Sequence, residues 1–498
     1  MKESLDFIYK EQKELSTFGG IAALLGWDQM THMPKMGAAE RSEQGALISR
    51  LSHDKVISDN FWKHIQILLK NLDNLSEKDK AVVTRLVKDV EKSRKIPSDF
   101  VERMSRTTTL SYQSWEDARA KNDFKVFAPH LGKIINLEKE YCDYIKLPGP
   151  KYNTLLDDYE EGMTVDVLKK EFSFLKTNLV DILQKIMSSE TYSKQEKIDI
   201  KVDKEKQKKL SQIIFEKMHL PNEKARIDVS THPFTTSIGI DDVRITTNYD
   251  RDSPLFSFFS TIHEAGHALY ELGMPGEEFK YTVISDSPSL GLHESQSRFW
   301  ENNIARSMSF WKYFYSIFQN TSGYSYSNLD NWYKLINQVR PSLIRVEADE
   351  LTYCLHVILR FELEVDLMDD KIKVDDLPQL WNEKMNDMFG IIPKNDVEGL
   401  LQDMHWSGGS IGYFPTYAIG SIYSSQIHKK ISEVNANLET EIEQGNFQNI
   451  LNWLRENIHK FGRLMTADEI IKNACGEGFN SKIFVDYLKN KYFSLYGV

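Results

Sequence analysis

Apolar residues recur at three- and four-residue spacing through most of the chain: from Ile8 to Ala23, Ala38 to Ser52, Lys80 to Lys92, Leu168 to Met187, Phe299 to Asn320 and Leu351 to Leu367. That period buries one face of an α-helix, so it predicts a mostly α protein. The period shortens to two only between Ala225 and Asn248, where Arg226-Ile227-Asp228-Val229 and Asp242-Val243-Arg244-Ile245-Thr246-Thr247 are short, β-branched and separated by Gly239. A small sheet is expected there. The segment Ser188 to Lys224 is highly charged, with Leu and Ile spacing that suggests exposed helices on the surface of a lobe. No clean linker interrupts the pattern, and one domain over residues 1–498 is expected.

Immediately after the expected sheet, Asp252 or Ser253 can cap a helix and Pro254 suits its first turn; Leu255, Phe258, Phe259, Ile262, Gly266 and Leu269 follow at helical spacing. Inside this run stands His263-Glu264-Ala265-Gly266-His267. Histidines four apart share one helical face and can converge on a divalent metal, while the glutamate, about 100° round the helix, leans over the metal's open position. The competing reading is a coincidental pair of core histidines. A third ligand is sought in Leu290-Gly291-Leu292-His293-Glu294-Ser295-Gln296-Ser297-Arg298-Phe299-Trp300. His293 and Glu294 point to different faces, so one of them faces the metal, and two histidines plus a carboxylate leave an open catalytic position. Glu294 is the choice. Otherwise it would form an ordinary surface pair with Arg298 at i,i+4.

These motifs resemble the metallocarboxypeptidases typified by carboxypeptidase Taq. The resemblance is carried by the two stretches above together with His232-Pro233-Phe234, Asp242-Val243-Arg244-Ile245-Thr246, Ile344-Arg345-Val346-Glu347-Ala348-Asp349 and Gly399-Leu400-Leu401-Gln402-Asp403-Met404-His405-Trp406. Trp27-Asp28-Gln29, Met33-Pro34 and Gly37-Ala38-Ala39-Glu40-Arg41 are similar to that family's N-terminal signature. The resemblance implies a large, two-lobed helical metallopeptidase with a deep groove, the small sheet lying next to the metal helix. It also implies a homodimer, and arginines from the two Arg-containing motifs at the closed end of the groove. The sequence departs from the family pattern at Val283-Ile284-Ser285-Asp286-Ser287-Pro288-Ser289, where small residues, Pro and Gly are usual.

The expected chemistry follows from the ligand set. Zn²⁺ lowers the pKa of a bound water to about 7, and Glu264 can accept its proton as the water attacks the scissile carbonyl; Co²⁺ or Mn²⁺ are alternatives. Tyr413 and His405, with His232 on the substrate side, are candidates for a second donor to the oxyanion. Recognition of a free C-terminal carboxylate calls for a guanidinium, and Arg345 and Arg244 are the candidates. Against these stand structural ion pairs, Arg345 with Asp349 or Arg244 with Asp242; Asp349 could instead orient a metal histidine. Gly408-Gly409-Ser410-Ile411-Gly412 matches the G-x-S-x-G elbow of serine hydrolases, but that elbow needs a strand before it in a parallel sheet, and the run is read as a loop lining the groove.

Composition adds little that discriminates. The net charge of -11 speaks against nucleic acid or an anionic membrane as partner. Cys142, Cys354 and Cys475 are odd in number and form no C-x-x-C pair, as expected of buried thiols in a reducing compartment. The charged N-terminus lacks the apolar core of a signal peptide, so a cytoplasmic protein is expected. Three functional readings therefore compete: a zinc carboxypeptidase of broad specificity acting on peptides with a free C-terminus, a zinc endo-oligopeptidase on a similar scaffold, and a non-catalytic helical interaction protein that keeps a metal for stability.

Overall fold

A computed structural model describes residues 1–249 and 253–498. The periodic stretches form helices, at Lys2–Thr31, Ala38–Ile57, Glu77–Arg94, Val165–Met187 and Tyr353–Met368. Expected from Leu351, the last of these begins at Tyr353 because the Asp349 carboxylate takes the backbone N–H groups of Leu351 and Thr352, both at 3.0 Å. Phe299 to Asn320 is two elements rather than one helix. A π-helical turn spans Phe299–Ile304, and Ser307 then accepts the N–H of Phe310 to cap a new helix, Met308–Ser322. Apolar spacing continues across that break, so periodicity could not reveal it. The charged stretch is helical only at Glu190–Ser193 and Lys204–Lys217, and the second of these buries Leu210, Ile214 and Phe215.

The expected sheet has three strands: β1 (Ala225–Val229), β2 (Thr235–Gly239) and β3 (Asp242–Thr247). β3 is central, parallel to β1 with Ile227 opposite Ile245, and antiparallel to β2 with Thr236 opposite Arg244. β2 was not expected, because Thr-Thr-Ser-Ile-Gly lacks an alternating apolar face. It is an edge strand on which the amino-terminal helix rests: a Cβ on Gly20 would stand 2.5 Å from the Ile238 carbonyl oxygen. Only glycine permits that approach.

Two apolar clusters result. The large one contains the apolar face of the histidine-bearing helix, Pro254–Glu271, and most of the C-terminal helices. The small one joins Ile8, Phe61, Ile65, Val82 and Leu86 to Phe279 and Ile284. A cleft of about 970 Å³ is lined by the amino-terminal helix, β2 and the segment from Met274 to Asp286. Among the described residues no helix is long and apolar enough to cross a membrane. Cys142 and Cys354 are buried, Cys475 is partly buried, and all three are free thiols.

Candidate metal centre and substrate cleft

The histidine helix starts at Pro254 with Ser253 at its N-cap, although the Ser253 side chain makes no capping hydrogen bond; Asp252, the other expected cap, lies outside the described residues. Its neighbour, the glutamate helix Leu290–Arg298, is capped by Ser289 and crosses it closely. A Cβ on Gly266 would stand 2.7 Å from the Gln296 carbonyl oxygen. From the opposite side the helix Pro415–Val434 presses Gly420 against Glu294, where a Cβ would lie 2.6 Å from Cγ. Two glycines, on two different helices, therefore set where the Glu294 carboxylate sits.

The result is convergence. One ligand atom from each of His263, His267 and Glu294 lies within 4.8 Å of the others. Glu294 Oε2 is 3.5 Å from His263 Nε2 and 3.3 Å from His267 Nε2. The far side of each ring is occupied: His263 Nδ1 meets Glu301 Oε2 at 2.9 Å, and His267 Nδ1 meets His293 Nδ1 at 2.6 Å. His293 Nε2 in turn meets Glu271 at 2.8 Å. A neutral ring that donates from Nδ1 keeps its Nε2 lone pair for a metal; burial works against the charged form of His263, but Glu294 and Glu301 overcome it and raise the pKa. Burial, with His293 beside it, pushes His267 down to about 3, so this imidazole is neutral, as a ligand must be. Burial opposes ionisation of Glu294, but Arg298 and the histidines outweigh it and hold the carboxyl well below its usual range. Two imidazoles and one carboxylate, held together without a fourth protein ligand among the described residues, fit a divalent catalytic metal. The expected Glu294–Arg298 contact exists at 2.7 Å, but it is buried and orients the ligand instead of replacing it.

Glu264 stands beside this group. Its carboxylate receives the Thr235 hydroxyl at 2.7 Å, which ties it to β2, and burial raises its pKa. A carboxylate of raised pKa is a stronger proton acceptor.

A second cluster lies around Arg345, which is 5% exposed. Its Nη2 donates to Asp403 at 2.7 Å and its Nη1 to the Tyr353 hydroxyl at 3.0 Å, while the guanidinium covers the Tyr417 ring at 5.0 Å. The expected alternative partner, Asp349, is not used; it accepts backbone N–H groups from Arg340, Leu351 and Thr352, so it orients no metal histidine either. Glu301 does that. Tyr353 also links the two clusters, since Arg298 stacks on its ring at 4.3 Å. Tyr413 packs on Tyr417 at 5.4 Å and on His405 at 5.3 Å, and His405 Nε2 is 3.4 Å from the Tyr417 hydroxyl. Burial pushes His405 down to about 4 against the opposing charge of Asp403, with Arg345 and Arg360 adding to the fall.

Arg244 and His232 lie elsewhere. Arg244 makes a two-pronged pair with Asp242, both contacts at 2.8 Å, and stacks on Trp27 at 4.3 Å. His232 is exposed on the turn before β2. The G-x-S-x-G run follows a 3-10 turn, His405–Gly408, with no strand before it, so there is no nucleophile elbow.

The model of the carboxypeptidase Taq (M32) metallopeptidases matches residues 7–492. The chain belongs to this family. It is 39% identical to thermostable carboxypeptidase 1 of Pyrococcus furiosus over 98% of both chains. It is 38% identical to carboxypeptidase 1 of Bacillus subtilis over 99% of this chain and 98% of that one. Among solved structures, the P. furiosus carboxypeptidase superposes with a TM-score of 0.94 over 99% of each chain at 39% identity. Metallocarboxypeptidase 1 of Trypanosoma cruzi superposes at 0.95, with 32% identity, over 99% of this chain and 100% of that one. The large helical fold and the small sheet beside the metal helix are thus those of a carboxypeptidase Taq metallopeptidase.

Sequence reasoning missed Glu301, Thr235, Tyr353, Tyr417 and Asp403 as parts of the site. Two left a signal: Glu301 stands seven residues after Glu294 and three after Arg298, and Asp403 lies inside the motif that carries His405.

Proposed function

We propose that this carboxypeptidase Taq family member removes the C-terminal residue from peptides with broad side-chain tolerance, using Glu264 as proton acceptor and donor. The convergence of His263, His267 and Glu294 beside Glu264 carries this reading. When bound there, a divalent metal, Zn²⁺ by choice of ligands, acidifies a water and polarises the scissile carbonyl. Glu264, steadied by Thr235, takes the proton from the attacking water and returns it to the departing amine. Tyr413 supplies a donor to the developing oxyanion, with His405 packed against its ring to position it. The open edge of β2 pairs with the backbone of an extended peptide, a mode of binding indifferent to side chains.

Arg345 holds the terminal carboxylate with the N–H groups that Asp403 and Tyr353 leave over, and Asp403 keeps the guanidinium in place. Arg345 gives Nε and Nη2 to Asp403 as Arg244 does to Asp242; Arg345 is preferred because Tyr353 and Arg298 join its cluster to the metal ligands. His232 is assigned to the substrate side on the resemblance alone, as is a homodimer, for which light scattering should give about twice the 57.9 kDa chain mass. The deciding experiment digests one peptide as free acid and as amide. Stepwise release of single residues from the free-acid end is expected, and internal cuts at comparable rates in both peptides would establish the endo-oligopeptidase instead. A purely structural metal site is disfavoured by the donor count, which stops at three among the described residues.

A further inference from the structure

Away from the metal, a pocket of about 390 Å³ opens between the helices Ser98–Lys121 and Phe124–Ile145 and the turn that joins His405 to Tyr413. Phe100, Met104, Leu155 and Ile411 make its walls apolar. At its lining is Glu138, 7% exposed, which forms no hydrogen bond or ion pair with any described residue. The other acid there, Asp158, is already engaged, by Lys92 at 2.5 Å and by the Tyr141 hydroxyl at 3.0 Å. A buried carboxyl without a partner is costly unless something neutralises it. Burial and then the like charges of Asp158 and Glu364 push Glu138 up to about 8, with no cation among the described residues to offset them. Gly409, at a φ of +79°, keeps the turn clear of it, since a Cβ would sit 3.1 Å from Glu138 Oε1.

We propose that this pocket binds an organic cation, an alkylammonium or guanidinium group, with Glu138 as its counter-charge and the apolar walls around its methylene stem. Tyr159, on the pocket wall, packs edge-on against Tyr413 at 5.2 Å, so the pocket backs onto the tyrosine assigned above to the oxyanion. Two sources fit this chemistry: a basic side chain of the peptide, which rests on the carboxypeptidase reading, or a free amine, which does not.

The test uses the metal-loaded protein and agmatine, which has both a guanidinium and an amine but no carboxylate for Arg345. Calorimetry should show saturable binding that Glu138→Gln weakens at least about tenfold, the loss of one charge-assisted contact. Met104→Trp, which fills the pocket and leaves Glu138 intact, should weaken it similarly. Equal binding to wild type and Glu138→Gln, or none to wild type, overturns the proposal. In parallel, kcat/KM is measured for peptides ending in Leu or Lys. A fall of the Lys-to-Leu ratio by the same factor in Glu138→Gln assigns the cation to the substrate; an unchanged ratio with agmatine binding lost assigns it to a free amine. Cleavage of neither peptide by wild type would count against the carboxypeptidase reading while the agmatine result stood.

Discussion

In the proposed reaction Glu264 and Arg345 carry different parts, and single substitutions separate them. Glu264→Gln keeps the size and one acceptor for Thr235 but cannot take a proton. The ion should remain at about one per chain by elemental analysis, while turnover falls at least ~10²-fold. Full turnover would sink the assignment. For Arg345, amidating the substrate removes the charge and an acceptor, and should cost roughly 30- to 1000-fold in kcat/KM. Arg345→Ala should impose a similar loss on the free acid and little more on the amide, because the contact is then missing already. Asp403 keeps Arg360 at 2.5 Å in that variant, so the substitution leaves no wholly unpaired buried charge. The position of Glu264 was legible because the His-Glu-x-x-His spacing dictates its face of the helix, whereas Arg345 was a candidate from carboxylate chemistry and resemblance. Asp403 as the anchor of Arg345, 58 positions away in sequence, was not legible.

At the level of elements, the ligand set depends on helices held closer than ordinary side chains allow. Gly420 is the sharpest case. Gly420→Val would drive a side chain into Glu294 Cβ and Cγ, so the glutamate must move; metal affinity measured by competition with a chelator should fall, with a stability loss of about 1–3 kcal/mol. Retained affinity would show that the helices can slide apart without moving the ligand. The π-helical turn Phe299–Ile304 places Glu301 behind His263, and Glu301→Gln should reduce metal affinity about 10- to 100-fold while leaving the three ligands in place. Helices and their apolar faces could be read from periodicity. The π turn and β2 could not, since both are chosen by what packs against them.

Across the whole molecule, buried carboxyls tie distant segments together and make stability depend on pH. Glu364, on Tyr353–Met368, receives the Tyr152 hydroxyl at 2.7 Å, Trp406 Nε1 at 2.6 Å and the Gly412 N–H at 3.0 Å. Burial raises it to about 7 despite those donors. A carboxyl ionising at about 4.3 when unfolded and near 7 when folded binds more protons in the native state between those values. Its contribution to stability is therefore full at low pH, falls as pH rises through that window, and is level above it, a change of order 3 kcal/mol. Glu364→Gln should flatten this slope, so that the difference in unfolding free energy between pH 5 and pH 8 shrinks relative to wild type. An unchanged difference would mean that the native carboxyl is already ionised at pH 5.

The sequence alone determined the helical architecture, the position of the sheet and the shared face of His263 and His267, because each of these is written in local spacing. A stripe of apolar residues needs only its own turn of helix to become a face, and two histidines four apart share a face in any helix. Choosing Glu294 over His293 also followed locally, from the ligand chemistry and the run that carries them. Tertiary structure decided the rest: Thr235 on Glu264, Glu301 on His263, Asp403 on Arg345, and Glu138, which has no partner among the described residues. Those contacts join residues whose separation in sequence leaves no periodic trace, and their geometry is set by packing between helices and strand, which only the folded chain possesses.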